Sequence, residues 1–177
     1  LKWKSWSIEE KLSLIEFVYS HWQVLFGGAS GCDMWSLSNF PSVEFYNKLL
    51  SRYPDFYISF IPNWTAYKDG TDGQHWVYMN LTKDDLLLIC SEGKGIENFS
   101  GNGDLNAFLT SRRLHESERD VQNDSYNCGI YALLASWSVA RFVKEMRNPR
   151  PNDIINEVIQ FWLSVEPDTI RRFLVNE

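Results

Sequence analysis

Between positions 128 and 143 the sequence carries a single charged residue, Arg141, among apolar and small side chains. This stretch predicts a long apolar helix, and the prolines at Pro149 and Pro151 predict that it ends soon after position 143. Cys128 stands at the predicted start of this helix. The pattern therefore assigns one particular thiol to a helix N-terminus.

The rest of the chain mixes helical and strand-like patterns, which predicts an α+β domain. Ser7 is a capping residue for a first helix that should stop near Gly27-Gly28. Alternation predicts two strands, 75–81 and 86–90, joined as a hairpin by the polar residues 82–85. The other predicted elements are a helix at 41–50, a strand at 56–61, a weak helix at 105–113, and two C-terminal helices at 153–163 and 167–175.

The composition argues against several classes of protein. The net charge of −6, without a basic stripe, argues against a nucleic-acid-binding protein. No apolar run approaches the ~20 residues that a transmembrane helix needs. Three widely spaced cysteines, Cys32, Cys90 and Cys128, suit neither a disulfide framework nor a metal site, so we expect a reducing compartment, no metal and no cofactor. We expect residues 1–177 to form a single domain and a monomer.

Cys128 is the candidate nucleophile. The free N–H groups and the dipole at a helix N-terminus favour a thiolate, so we expect the pKa of this thiol to be lowered. Gly129 would let another chain approach closely. The alternative is that Cys128 is one more small buried apolar residue, which is the usual fate of a free cysteine.

A candidate base lies upstream of this thiol. His75 is followed by Trp76 and could accept the thiol proton and later protonate a leaving amine. A lone histidine is more often a surface or packing residue. A second His-Trp pair, His21-Trp22, falls in the first helix, so the dipeptide alone is weak evidence.

Candidates for the orienting acid and the oxyanion donor complete the set. If the strand ending at Glu92 pairs with the strand that begins at His75, alternation puts Cys90 and Glu92 on one face, so Glu92 is the predicted acid. A solvated glutamate at the start of a loop is an equally good interpretation, and Asn80 is a second polar candidate. Gln122, six residues before Cys128, could turn its amide back and donate to an oxyanion, although a glutamine in a polar loop is otherwise ordinary.

The order His75-Trp76, Glu92, then Gln122 and Cys128-Gly129 resembles the ubiquitin-like-protein proteases of the SUMO/sentrin type. Their relatives include the adenovirus protease and bacterial effector deubiquitinases. The family pattern is His-Trp, an acidic residue, then Gln-x5-Cys-Gly, and the resemblance covers residues 35–143.

The resemblance implies a papain-like cysteine protease fold, with a central mostly antiparallel sheet flanked by helices and the nucleophile at the N-terminus of a helix. It implies cleavage after the C-terminal Gly-Gly of ubiquitin or a ubiquitin-like modifier through a thioester, with substrate bound by Trp76 and Gly129. Residues 1–30 have no counterpart in the family and would be an added N-terminal helix. The implied partners are ubiquitin or SUMO-type modifiers and their conjugates. We expect the protein to act in the cytoplasm or nucleus, or in a host cell if it is bacterial or viral.

Two other functions are open. The arrangement of Cys, His and Glu in this chain also resembles the active site of bacterial effector acetyltransferases. In those enzymes the cysteine accepts an acetyl group from acetyl-CoA. A catalytically dead domain that only binds a modifier is the third hypothesis, which the intact set of Cys128, His75 and Gln122 disfavours.

Overall fold

The computed structural model describes residues 6–26, 43–52, 58–61, 63–64, 75–96, 111–145 and 149–175. The fold of these residues is α+β, as the sequence predicts. Cys32, the predicted Gly27-Gly28 stop and residues 105–110 of the predicted weak helix lie outside the described residues.

Most of the predicted elements are present in the described part of the chain. The helices are α1 (Ile8–Phe26), α2 (Val43–Arg52), α3 (Cys128–Glu145), α4 (Pro151–Ser164) and α5 (Pro167–Val175), and the strands are β1 (Ile58–Phe60), β2 (Asn63–Trp64), β3 (His75–Trp76), β4 (Tyr78–Leu81), β5 (Asp85–Ile89) and β6 (Arg113–Glu116). Ser7 caps α1 as predicted: the backbone N–H of Glu10 donates to Ser7 Oγ at 3.2 Å, and the Ser7 backbone N–H donates to Glu10 Oε1 at 3.4 Å. Helix α4 begins at Pro151, two residues earlier than predicted, because the first helical position does not use its N–H.

The predicted hairpin is confirmed, but its first strand is divided. β4 pairs antiparallel with both β1 and β5 in a four-stranded sheet of order β1-β4-β5-β6. β3 pairs instead with β2 in a separate two-stranded sheet. The chain therefore changes partners at Val77, immediately after the His75-Trp76 pair.

The last strand of the main sheet, β6, is parallel to β5, so the sheet is mixed. The predicted weak helix through position 113 is wrong at its end, because β6 begins at Arg113. The sequence of β6 lacks the alternation of apolar and polar residues that is typical of a strand. Side-chain contacts support the pairing instead: Asp85 Oδ1 forms an ion pair with Arg113 Nε at 3.1 Å and a hydrogen bond with His115 Nε2 at 2.9 Å.

Helix α3 is the centre of the core and confirms the predicted apolar helix. It packs against β3, β4 and the helices α1, α4 and α5. The Trp6 ring stacks on Phe161 at 5.4 Å and lies 5.0 Å from the ring of Trp137, which joins the start of α1 to α3 and α4. Trp162 Nε1 donates to the backbone oxygen of Tyr131 at 2.9 Å. Among the helices of the described ranges, none combines the length and the apolar character needed to cross a membrane.

Candidate active site

A tight turn after β5 carries the predicted acid, Glu92. The backbone N–H of Gly93 donates to the oxygen of Cys90 at 3.0 Å and closes the turn around Ser91 and Glu92. Gly93 has φ +70°, and a Cβ at this position would lie 2.8 Å from backbone atoms of Arg119 and Asp120. Only glycine therefore fits there without displacing the neighbouring segment.

His75 lies directly beside this turn. Its side chain is buried, with Nδ1 3.9 Å from Glu92 Oε1. Continuing the register Tyr78↔Ile89 by three residues on each strand places His75 opposite Glu92, although the ladder itself ends at Tyr78. The other carboxylate oxygen of Glu92, Oε2, lies 3.2 Å from Lys94 Nζ. The structure thus brings together the predicted base and the predicted acid.

The second ring nitrogen of His75 has a partner that the sequence reasoning did not consider. Nε2 lies 3.2 Å from the sulfur of Cys90. Cys90 is 0% exposed, and burial raises the pKa of its thiol to about 11. The alternation that selected Glu92 placed Cys90 on the same face, and this was the signal that could have identified the contact.

Burial decides the charge of His75. It lowers the pKa of the imidazole below 6.5, Glu92 acts to raise that pKa, and Lys94 acts to lower it. A buried imidazole with a lowered pKa is neutral at neutral pH. It is therefore able to accept a proton.

Cys128 is the first residue of α3 and its side chain is 6% exposed. Burial raises the pKa of the thiol, although hydrogen bonds from the backbone N–H groups of Trp76 and Gly129 favour the thiolate. The expectation of a lowered pKa is therefore wrong. The helix N-terminus acts in the predicted direction, but the loss of solvent around the sulfur outweighs it.

Gln122 is buried at the turn that leads into α3. Its Oε1 accepts a hydrogen bond from Ser91 Oγ at 2.6 Å. Its Nε2 donates to the backbone oxygen of Asp124 at 2.9 Å and to Asp124 Oδ1 at 3.3 Å. The structure places this amide in the segment that carries Cys128, and its contact with an oxyanion stays a prediction.

The residues just before Cys128 are fixed by carboxylates that the sequence reasoning missed. Asp124 Oδ1 accepts the backbone N–H groups of Tyr126 at 3.0 Å and Asn127 at 2.8 Å. Asn127 Nδ2 donates to Asp124 Oδ2 at 2.8 Å and to Asp168 Oδ1 at 2.9 Å. Burial acts to raise the pKa of Asp124, but these hydrogen bonds outweigh it and hold the pKa below its usual value. Asp-x-x-Asn before a helix is a local capping signal, whereas Asp168 comes from α5 and leaves no local signal.

The two predicted substrate-binding residues are buried in this structure. Trp76 belongs to the hydrophobic core cluster, and Gly129 lies in the first turn of α3. Their roles in substrate binding stay predictions. In the described ranges, the His, Cys, Asp and Glu side chains form no group that could hold a metal ion.

No family model matches the sequence, and no curated protein matches it. The function is therefore inferred from the geometry of these residues.

Proposed function

We propose that this chain is a papain-like cysteine protease that cleaves after the C-terminal Gly-Gly of ubiquitin or a ubiquitin-like modifier. The observation that carries the proposal is the position of β3 between an acid and a thiol. His75 Nδ1 is 3.9 Å from Glu92 Oε1, and α3, which begins at Cys128, packs against β3. The backbone N–H of Trp76 also acts to lower the pKa of the Cys128 thiol. A thiol, an imidazole and a carboxylate in one site are what nucleophilic acyl transfer requires.

The surrounding fold supports the same proposal. Cys128 begins a buried helix, α3, that packs on β3 and β4. A papain-like protease would need this arrangement, because the helix fixes the nucleophile while a strand fixes the base.

Cys128 is a better nucleophile candidate than Cys90. A substrate carbonyl must reach the sulfur, and Cys90 has no exposed surface, whereas Cys128 keeps a small exposed fraction. Cys128 also stands at the N-terminus of α3, where the helix dipole favours negative charge, whereas Cys90 follows strand β5.

The reaction proceeds by two acyl transfers. As Cys128 Sγ attacks the carbonyl carbon of the terminal glycine, its proton passes to His75, and the carbonyl oxygen becomes an oxyanion held by the Cys128 N–H and the Gln122 amide. The C–N bond then breaks, and the imidazolium gives its proton to the leaving amine. His75 next takes a proton from water, whose oxygen attacks the thioester carbon. The C–S bond breaks, the imidazolium returns its proton to Cys128 Sγ, and the product carboxyl group releases its remaining proton to solvent. Because burial keeps the thiol of Cys128 protonated, the proton moves during the attack rather than before it.

A cytoplasmic or nuclear setting and a partner with a basic surface are part of the proposal. Both described cysteines are free, which a cytoplasmic or nuclear site would preserve. A chain with net charge −6 would suit a modifier that presents a basic surface.

A set of modifier probes tests the proposal. The protein is incubated with ubiquitin and SUMO-type modifiers that each carry a C-terminal thiol-reactive group, beside Cys128→Ala and the matched thiol variant Cys32→Ala. We expect a covalent adduct with at least one modifier, retained in Cys32→Ala and absent in Cys128→Ala. An adduct that persists in Cys128→Ala would rule out this nucleophile.

The remaining outcomes favour the other functions. If no modifier reacts but labelled acetyl-CoA transfers its acetyl group to Cys128, the site is that of an acetyltransferase. If neither reacts and a modifier only binds, the domain is a binding module.

A further inference from the structure

Three consecutive residues of one turn, Cys90, Ser91 and Glu92, lie next to the proposed base or the proposed oxyanion donor. Cys90 Sγ meets His75 Nε2, and Glu92 Oε1 lies near His75 Nδ1. Ser91, between them, contacts Gln122 rather than His75. The same turn therefore joins the proposed base to the proposed oxyanion donor.

The hydrogen bond between Ser91 and Gln122 has a defined direction. The Gln122 NH₂ group faces the backbone oxygen and the carboxylate of Asp124, and both of these groups only accept hydrogen bonds. The amide oxygen must then face Ser91, so the Ser91 hydroxyl is the donor, at 2.6 Å. Ser91 and Asp124 together determine which way the amide is turned.

The side chain of Ser91 is not needed to hold the backbone of Gln122. The backbone oxygen of Ser91 accepts the N–H groups of Val121 at 2.8 Å and Gln122 at 2.9 Å. These bonds survive any substitution at position 91 that keeps the turn. What the hydroxyl adds is control over the amide plane alone.

We propose that Ser91 is a positioning residue: its buried hydroxyl holds the Gln122 amide oxygen and so fixes the plane of the amide, and one amide N–H exchanges Asp124 for the oxyanion when the oxyanion forms at Cys128. This inference rests on the proposed protease function. It adds a residue that touches neither substrate nor the reacting atoms and acts only through Gln122.

The test compares four proteins in a turnover assay: the unmutated chain, Ser91→Ala, Gln122→Ala and the double variant. The substrates are ubiquitin and a SUMO-type modifier, each carrying a C-terminal fluorogenic amide. Ser91→Ala is expected to lower kcat by about 10-fold with little change in KM, since the Gln122 amide is then held less firmly in the orientation that stabilises the transition state. In the Gln122→Ala background, Ser91→Ala is expected to have no further effect.

A second measurement separates positioning from damage to the fold. Alkylation of Cys128 by iodoacetamide forms no oxyanion, so its rate in Ser91→Ala should equal that of the unmutated chain. The isosteric pair Ser91→Thr and Ser91→Val guards against a folding defect, because Thr keeps the hydroxyl and Val does not. Turnover should be higher in Ser91→Thr than in Ser91→Val.

The outcomes are distinguishable. Equal kcat in Ser91→Ala and the unmutated chain overturns the role of Ser91. A lower kcat in the double variant than in Gln122→Ala overturns it too. Both results leave the protease proposal standing. A matching loss in alkylation also overturns it, since the defect is then general. If the unmutated chain cleaves neither substrate, the protease proposal and the role of Ser91 fall together.

Discussion

His75 Nε2 lies 3.2 Å from Cys90 Sγ, so the proposed base holds a hydrogen bond to a thiol that is not the proposed nucleophile. Because the pKa of Cys90 is about 11, its sulfur carries a proton at neutral pH and can donate it to the neutral imidazole. The ring proton then resides on Nδ1, which faces Glu92. For His75 to act on Cys128, the contact with Cys90 must be exchanged during the reaction cycle.

Replacement of Cys90 should raise the pKa of His75. The thiol donor stabilises the neutral imidazole, and the cavity left by Cys90→Ala admits water that favours the charged form. We expect an NMR titration of the His75 ring protons to show a higher pKa in Cys90→Ala. Cys90→Ser keeps a donor and should shift the pKa less. An unchanged value in Cys90→Ala would mean that the contact has no electrostatic consequence.

Two charges beside His75 should shift the same titration in opposite directions. Glu92 acts to raise the pKa of His75 and Lys94 acts to lower it. Glu92→Gln should therefore lower the pKa, and Lys94→Ala should raise it. Both groups are partly exposed, so added salt should reduce both effects. A shift of the same sign in both variants would contradict this account of the site.

Alkylation of Cys128 should be slow at neutral pH and faster at alkaline pH. Burial raises the pKa of the thiol, so the reactive thiolate forms only as the pH approaches that raised value. The rate of iodoacetamide labelling at Cys128, followed by mass spectrometry, measures this dependence, with Cys128→Ala as the blank. Rapid labelling that stays constant from mildly acidic to neutral pH would instead indicate a preformed thiolate–imidazolium pair.

Gly93→Ala should destabilise the protein. The left-handed backbone costs a non-glycine residue about 1–2 kcal/mol, and the added Cβ would press against the backbone of Arg119 and Asp120. Urea unfolding should show a lower midpoint than for the neighbouring control Lys94→Ala. Equal midpoints would show that the turn readjusts freely. The turn would then not be what fixes the position of Glu92 relative to His75.

Trp6→Ala should lower the free energy of unfolding by about 3–5 kcal/mol, the range for a large aromatic side chain lost from a core. Trp6 is buried against Trp137 and Phe161, so its loss opens a cavity between α1, α3 and α4. Ile8, two residues later, is 77% exposed, and Ile8→Ala should change stability by no more than about 0.5 kcal/mol. Similar losses in both variants would mean that the N-terminal segment is held by something other than this ring cluster.

The elements that sequence reasoning predicted have local causes. The capping box at Ser7 and Glu10 and the hairpin around 82–85 are specified by residues close together in the chain. Strand β6 is different, because its stability comes from pairing with Asp85 and its neighbours on β5, far away in sequence.

The same distinction applies to the candidate site. The spacing of the motif is visible in the chain, and extending the hairpin register accounts for the meeting of His75 and Glu92. The bond from Ser91 to Gln122 and the raised pKa of Cys128 depend on how distant segments pack. The burial of an individual residue in particular cannot be predicted from the sequence pattern, because the chain contains so many apolar residues.

The bond from Asn127 to Asp168 also affects when the site can form. Asp168 follows Asn127 by 41 residues, and Arg171 Nη1 donates to the backbone oxygen of Tyr126 at 3.1 Å. When Cys128 has just been added to the nascent chain, neither partner has been made, so the segment before the nucleophile lacks these bonds until α5 is synthesised. Synthesis of α5 is thus the step that completes this part of the site. A nascent chain that still lacks α5 does not have a fully assembled thiol centre.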